Sequence, residues 1–396
     1  MEKTSNFDVV IVGGGLAGAT AALAIKKQSP QCCIAVVEAN KPQSEYHPSF
    51  DDRSIALAAQ SVEYLHELGI FSANTEYMAE IHDVAVSDRG HFGKTWINKD
   101  EYGVDALGIV VEVAPFGHQL HTQLLQNDIT LFCPDTVEGI EPTLEFSQVT
   151  LNSGMELKTK LVVVADGANS PTRQLLKGEF DRVAYEQGAL IANVGLAQPH
   201  QGKAFERFTQ HGPMALLPMS RNRYSLVWCM PEEDLETFRT LPEEAFLHEL
   251  QNAFGYRAGQ FVQVGQRATY PLVLGRVNSL VQHRCVFLGN AAHAIHPIAG
   301  QGFNLGLRDI QVLAKLFTET SAAEWGDYRF TEAYKIARDP DIKKVMTLTD
   351  ALVRLFSNES RVMALGRSLG LLSMTLSPSL KSPLAKQLMG KIAQGV

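Results

Sequence analysis

Residues Phe7 to Glu38, FDVVIVGGGLAGATAALAIKKQSPQCCIAVVE, narrow the fold more than any other stretch. Phe7 to Val12 is an apolar run carrying the β-branched residues Val9, Val10, Ile11 and Val12, the pattern of a strand buried on both faces of a parallel sheet. Gly13, Gly15 and Gly18 follow at G-x-G-x-x-G spacing, and the alanine-rich Ala17 to Ile25 continues as a helix. In such a unit the first glycine permits the tight turn, the second lets backbone approach a pyrophosphate, and the third lets helix and strand pack closely. Unpaired N–H groups and the helix dipole favour negative charge at that end. A second strand, Cys33 to Val37, ends in Glu38, an acid placed to accept hydrogen bonds from a ribose diol. Strand, glycines, helix and acid in register predict dinucleotide binding.

At 396 residues the chain is long enough for two domains or for one large α/β body with an insert. A net charge of −8 argues against a nucleic-acid partner, which needs a dense basic face. The cysteines Cys32, Cys33, Cys133, Cys229 and Cys285 form no C-x-x-C pair, which predicts reduced thiols in a cytoplasmic setting. Cys32 and Cys33 flank the second strand and are expected in the core. The first strand starts so near the N-terminus that no signal peptide is expected, and no apolar run reaches the ~18 residues of a spanning helix.

A polar loop from Asn40 to Asp52 contains His47, Pro48, Asp51 and Asp52. A helix is predicted over Ser54 to Leu68, from Ile55, Leu57, Ala58, Val62, Leu65 and Leu68. Arg53 immediately precedes it, and either lies across a cofactor phosphate or pairs with Asp51 or Asp52. Ile81 to Val113 turns strand-like, Val113 to Leu125 reads as a helix, Ile129 to Phe132 as a strand, and Val137 to Leu151 as two strands closing on the turn Asn152-Ser153-Gly154. The chain then returns to the nucleotide fold with the buried strand Leu161 to Ala165. Asp166 and Gly167 follow at a strand's C-terminal end, where open α/β sheets place ligands; the alternative is an Asp-Gly turn capped by Ser170.

Ala184 to Gly275 is predicted to form a mainly antiparallel sheet, with one helix over Glu232 to Phe254. Its aromatic residues Phe205, Phe208, Tyr224 and Trp228 are either core or pocket lining. The buried strand Cys285 to Leu288 then runs into Gly289, Asn290 and a long loop, with a helix predicted over Leu305 to Phe317. Gly300 and Gly302 put backbone N–H groups at that helix's N-terminus. In the tail from Asp350 to Val396 six basic residues, Arg354, Arg361, Arg367, Lys381, Lys386 and Lys391, outnumber the acids and alternate with apolar residues. Such a helix either lies on an anionic membrane surface or packs on the body or a partner.

The three motifs at Gly13–Gly18, Asp166–Gly167 and Gly289–Asn304 together resemble the class A flavoprotein aromatic hydroxylases, over essentially the whole chain. HPSFDDRSIAL, AFERFTQHGPMALLPM, SLVWC and HPIAGQGFNLGLRD look closest to the ubiquinone-biosynthesis members. The resemblance implies FAD, with Gly13, Gly15, Gly18 and Glu38 on its ADP half, Arg53 near its phosphates, and Asp166 and Gly167 as the family's second motif. It places Gly289, Asn290, Pro297, Gly300, Gly302, Phe303 and Asn304 on the ribityl chain and ring. Asn290 departs from the usual Gly-Asp; its amide still hydrogen-bonds a hydroxyl, without the charge. The resemblance further implies NAD(P)H as reductant, molecular oxygen as co-substrate and a polyprenylated phenol of the 2-polyprenyl-6-methoxyphenol type as substrate. The flavin carries the chemistry, so no metal and no catalytic base are assigned; the loop residues His296, Pro297, Gly300, Gln301 and Gly302 lie closest to it. His293 is expected to be held by backbone contacts.

The fold class expected is α/β: a Rossmann-like FAD-binding domain (1–80, 105–183 and 276–349), an inserted mainly antiparallel β-sheet substrate domain (81–104 and 184–275), and a C-terminal basic helical tail (350–396). A cytoplasmic protein, peripheral to the inner membrane or held in a complex of pathway enzymes, suits an insoluble substrate. A halogenase on the same fold is disfavoured because Trp96, Trp228 and Trp325 make no W-x-W-x-x-P segment. Hydroxylation at another ring position and a non-catalytic FAD-stabilised component are the alternatives.

Overall fold

The structure, a computed structural model, describes residues 4–41, 49–71, 76–89, 93–209, 212–295, 301–356 and 378–390. Its first sheet is built on parallel pairing. The strand Thr4–Val12 lies between Ile34–Val37 and Glu156–Val164, with Val12 opposite both Val37 and Val164. Cys285–Phe287 continues the sheet on one side and Thr130–Phe132 on the other, both parallel to their neighbours. Val9, Val10, Ile11 and Val162 to Val164 are completely buried, because helices cover both faces and no side of these strands meets water. The outer half of Glu156–Val164 also pairs antiparallel with Ser147–Leu151, which pairs with Val137–Pro142.

The second sheet is mainly antiparallel. Phe180–Leu196, Arg223–Pro231, Gly212–Met219 and Lys203–Thr209 lie side by side, and Ala268–Val277 flanks them. Asp83–Asp88 joins its far edge in parallel with Lys203–Thr209 and carries Lys94–Asn98 outside it. One face packs on Phe246, Leu250 and Phe254, and Phe205, Phe208, Tyr224 and Trp228 are all buried. These aromatics are core, not pocket lining.

A third, three-stranded sheet of Ser54–Ala58, Gly108–Glu112 and Met78–Ile81 shares a hydrophobic cluster with the second sheet. Here the sequence reading needs correction. The helix expected over Ser54 to Leu68 is confined to Ala59–Glu67, and Ser54–Ala58 is a strand. Its backbone is claimed by Gly108–Glu112 on one side and by the Asn304 amide on the other, and tertiary pairing overrides a weak helical pattern. The single helix expected over Glu232 to Phe254 is two, Glu232–Thr240 and Glu243–Phe254. Pro242 lacks an N–H and drives Leu241 out of helical geometry. The helix expected from Leu305 starts four residues earlier, at Gln301, so Gly302, Phe303 and Asn304 lie in its first turn. Cys33 is exposed, whereas Cys32 is buried.

Of the tail, residues 357–377 and 391–396 lie outside the described residues. The helix Pro378–Leu388 packs on the body: Ala385 and Met389 join the cluster of Ala56, Ile81, Ile97 and Val110. Lys381 is buried there, with Nζ donating to the Trp96 carbonyl at 3.0 Å and pairing with Glu101 at 2.5 Å. Among the described residues no helix is long and apolar enough to cross a membrane. A carboxylate at position 385 would replace a methyl group packed against apolar side chains and would compete with Glu101 for Lys381. Ala385→Asp is therefore expected to lower stability by more than about 2 kcal/mol in urea denaturation.

Candidate cofactor site

Three strand ends in register create the site. Val12, Val164 and Phe287 finish side by side, and the Ala165 N–H donates to the Val12 carbonyl at 2.8 Å while the Leu288 N–H donates to Val164 at 3.1 Å. The glycine loop, Asp166–Gly167 and Gly289–Asn290 thus leave one sheet edge together. The three loop glycines have different physical reasons. Gly13 has φ +99°, and a Cβ there would lie 2.6 Å from the Ala165 carbonyl oxygen; at Gly18 it would lie 1.8 Å from that of Gly13. At Gly15 a Cβ would meet nothing within 4 Å. The first and third are demanded by the fold, and only the second is free to answer to something that approaches from outside.

Gly15 opens the helix Leu16–Gln28, which no side chain caps and whose first turn holds no acid. The loop before it is rigid: the Gly14 N–H donates to Glu38 Oε2 at 2.7 Å, and His121 Nε2 donates to the Gly14 carbonyl at 2.8 Å. Glu38 Oε1 accepts the Asn40 N–H at 2.8 Å and the Asn40 Nδ2 at 3.5 Å, while Oε2 has lone-pair capacity beyond its bond from Gly14. An uncapped N-terminus beside an open glycine and a fixed carboxylate fits the pyrophosphate and ribose of an ADP moiety.

The second motif is tied to the third. Asp166 Oδ2 accepts the Thr172 N–H at 2.9 Å and Oδ1 accepts the Ser170 hydroxyl, while Ser170 Oγ caps the short helix Pro171–Leu175 through the Arg173 N–H. The buried Arg173 guanidinium donates to the carbonyls of Ala168 and Ala291, both at 2.8 Å, and stacks 4.3 Å from the Phe180 ring.

In the third motif Gly289 is buried with φ +57°, and Asn290 is exposed. His293 is buried, and its partner is a side chain where backbone was expected: Nε2 donates to Asp309 Oδ2 at 2.7 Å. It therefore presents no ring to a phenol. Gly302 faces open space, and Phe303 packs edge-on against Phe116. Asn304 is engaged with Ser54–Ala58: Oδ1 accepts the Ala58 N–H and Nδ2 donates to the Ala56 carbonyl, both at 2.9 Å. His296, Pro297 and Gly300 lie outside the described residues, as do His47 and Pro48; Gln301 begins the helix.

Arg53 precedes a strand, and its side chain is exposed. The loop before it is clamped to the second sheet. Arg223 Nη1 donates to the Ser49 and Phe50 carbonyls at 2.9 and 2.8 Å, and Asn193 Nδ2 donates to those of Phe50 and Asp52 at 2.8 and 2.7 Å. Arg223 pairs with Glu112 at 2.6 Å, both buried. A cavity of about 290 Å³ opens beside this loop, between Phe50, Leu196, Arg221 and Gln263.

The sequence reading missed His121, Arg173, Arg223, Glu112, Asp309 and Arg338. A signal existed for two of them. Asp309 sits four residues from both Leu305 and Leu313, and Arg338 four from both Tyr334 and Ile342, all buried. A charge inside an apolar i, i+4 stripe marks a buried charge, though not its partner. Burial would raise the Asp309 pKa, but the charges and hydrogen bonds of His293 and Arg338 outweigh it and hold the carboxyl at about 2.

Two predictions follow from this geometry. Gly15→Val is expected to abolish FAD retention with little change in apoprotein stability, whereas Gly18→Ala lowers both, as flavin absorbance and thermal unfolding would show. Because the folded pKa of Asp309 lies below the ordinary ~3.9, its contribution is present above about pH 4 and lost as pH falls through 2. The stability gap between wild type and Asp309→Asn is therefore widest above pH 4 and narrows toward pH 2 in thermal unfolding.

Comparison with known proteins agrees with the site. Residues 132–349 match an FAD binding domain family, and residues 8–50 match a second one. The ubiquinone hydroxylase UbiL of Rhodospirillum rubrum is 32% identical over 98% of this chain and 90% of its own length. The 3-demethoxyubiquinol 3-hydroxylase of Escherichia coli is 27% identical over 97% of this chain and 98% of its own. The crystal structure of p-nitrophenol 4-monooxygenase PnpA from Pseudomonas putida has the same fold, with a TM-score of 0.79 at 16% identity over 98% of this chain and all of that one. The chain belongs to the FAD-binding family of flavin-dependent aromatic monooxygenases that includes the ubiquinone hydroxylases.

Proposed function

We propose that this protein hydroxylates the ring of a polyprenylated phenol, of the 2-polyprenyl-6-methoxyphenol type, in ubiquinone biosynthesis. The observation that carries the reading is full-length similarity to a ubiquinone hydroxylase, combined with three motifs that leave one sheet edge together. A second ring position is the alternative, supported by the similarity to the Escherichia coli 3-demethoxyubiquinol 3-hydroxylase.

In this reading Gly13, Gly15, Gly18 and Glu38 hold the ADP half of FAD, with Arg53 turned toward its phosphates. Asp166 and Gly167 shape the second turn. Gly289, Asn290, Pro297, Gly300 and Gly302 meet the ribityl chain and ring, while Phe303 and Asn304 support them by packing and by gripping Ser54–Ala58. When bound and reduced by NAD(P)H, FAD supplies the oxygen-transfer chemistry that no amino-acid side chain provides. The protein's own part is to orient the ring, fix the cofactor and exclude water. No side chain is assigned as catalytic base. The substrate is nearly insoluble, so we place the protein in the cytoplasm, peripheral to the inner membrane or in a complex of pathway enzymes.

The test is the visible spectrum of purified protein, then anaerobic reduction and oxygen addition with a short-chain 2-prenyl-6-methoxyphenol. Flavin bands and a hydroxylated product are expected, and the product's substitution pattern decides the ring position. Flavin bands with hydrogen peroxide alone would return the substrate to unknown and favour the non-catalytic alternative.

A further inference from the structure

Asn290 stands where the related pattern has an acid, so the turn at Gly289 carries no carboxylate of its own. One lies immediately behind it. Asp309, completely buried in the helix Gln301–Glu319, accepts the Gly289 N–H at 2.9 Å on Oδ2, the oxygen that also accepts His293 Nε2. Its Oδ1 accepts Arg338 Nε at 2.8 Å, from the helix Tyr328–Phe356. Arg338 continues to Asp341 at 2.6 Å, and Asp341 to Arg308 at 2.9 Å. The same helix pins the preceding strand: the buried Tyr334 hydroxyl donates to the Phe287 carbonyl at 3.0 Å.

The backbone leaves this turn little freedom. Gly289 adopts a left-handed φ of +57°, and a Cβ on Gly306 would lie 3.3 Å from the Gly289 Cα. Arg173 holds the Ala291 carbonyl from the opposite side. Among the described residues the polar handles in this arrangement act on Phe287, Gly289, Ala291 and His293, and none acts on Asn290, whose side chain is exposed. Burying several charges together is costly and is not needed to make a glycine turn. The arrangement makes sense if the direction in which the turn points its next residue matters.

We propose that Asp309, with His293 and Arg338, is the positioning group of the flavin loop, fixing the Gly289 N–H and so aiming the Asn290 amide and the following backbone at the ribityl chain of FAD. The inference rests on the reading that Gly289 and Asn290 meet FAD. It assigns to Asp309 no contact with cofactor or substrate. It also separates position from charge: the carboxylate stays behind the turn while a neutral amide faces the cofactor.

The test titrates FAD into apoprotein of wild type, Asp309→Asn, His293→Gln and, as a control, Lys381→Met, which breaks the distant pair with Glu101. Dissociation constants, the visible circular dichroism of bound flavin and apoprotein thermal midpoints are recorded for each. Asp309→Asn is expected to weaken FAD binding by about 10-fold or more and His293→Gln by about 3-fold or more, both with altered flavin dichroism. Lys381→Met is expected to lower the thermal midpoint alone. If Asp309→Asn does not fold, His293→Gln decides, because it keeps the bonds from Asp309 to Gly289 and Arg338. Affinity within about twofold of wild type and unchanged dichroism in the folded variants would overturn the proposal, as would an equal affinity loss in Lys381→Met. Absence of FAD binding by the wild type would instead overturn the cofactor reading beneath it.

Discussion

The register in which Val12, Val164 and Phe287 end side by side is the constraint on which the rest depends. It follows from burial. Strands covered on both faces expose no polar group except at their ends, so backbone amides and loop side chains become available only along the C-terminal edge. The glycine loop, the Asp166–Gly167 turn and the Gly289–Asn290 turn come from distant parts of the sequence and meet there, with Arg173 tying the second to the third. A one-residue slip of any of the three strands would exchange its side chains between the two packed faces and shift its loop along the edge.

That constraint explains what was legible in the sequence. Phe7 to Val12, apolar but for Asp8, and Leu161 to Ala165, apolar throughout, are followed at once by glycine or Asp-Gly; both read as buried strands, the first as a parallel one, and the two pair in parallel. Strand ends and glycine spacing are local properties, visible in one dimension. Ser54–Ala58 was read as helix because its identity is decided elsewhere, by Gly108–Glu112 and by Asn304, far away in sequence. Asn304 shows the same limit in a site residue. Its place in the third motif was clear, but its grip on a strand of another sheet has no local signature.

Buried charge was the other part the sequence reading did not reach. Arg223–Glu112 and Arg338–Asp309 pair residues 111 and 29 positions apart, and neither pairing can be read from spacing. The two pairs have parallel tasks. The first anchors carbonyls of the loop before Arg53 to the second sheet, and the second anchors an N–H of the loop before Asn290 to the helices behind it. In each case a desolvated ion pair, strong because water is excluded and costly if broken, holds backbone in place.

A flavoprotein hydroxylase has reason to use charge this way. Its cofactor performs the reaction, and the protein influences the outcome through where the cofactor, the ring and water are allowed to be. Precision of placement then counts for more than reactivity of side chains, since small displacements of a reacting pair are expensive. Flexible surface loops hold position poorly. Here glycines remove side chains where backbone must pass, and buried carboxylates and guanidinium groups take up backbone groups of the turns. His293 illustrates the result: a histidine of the third motif, expected to be held by backbone, is a strut whose Nε2 is bound to Asp309 behind the turn.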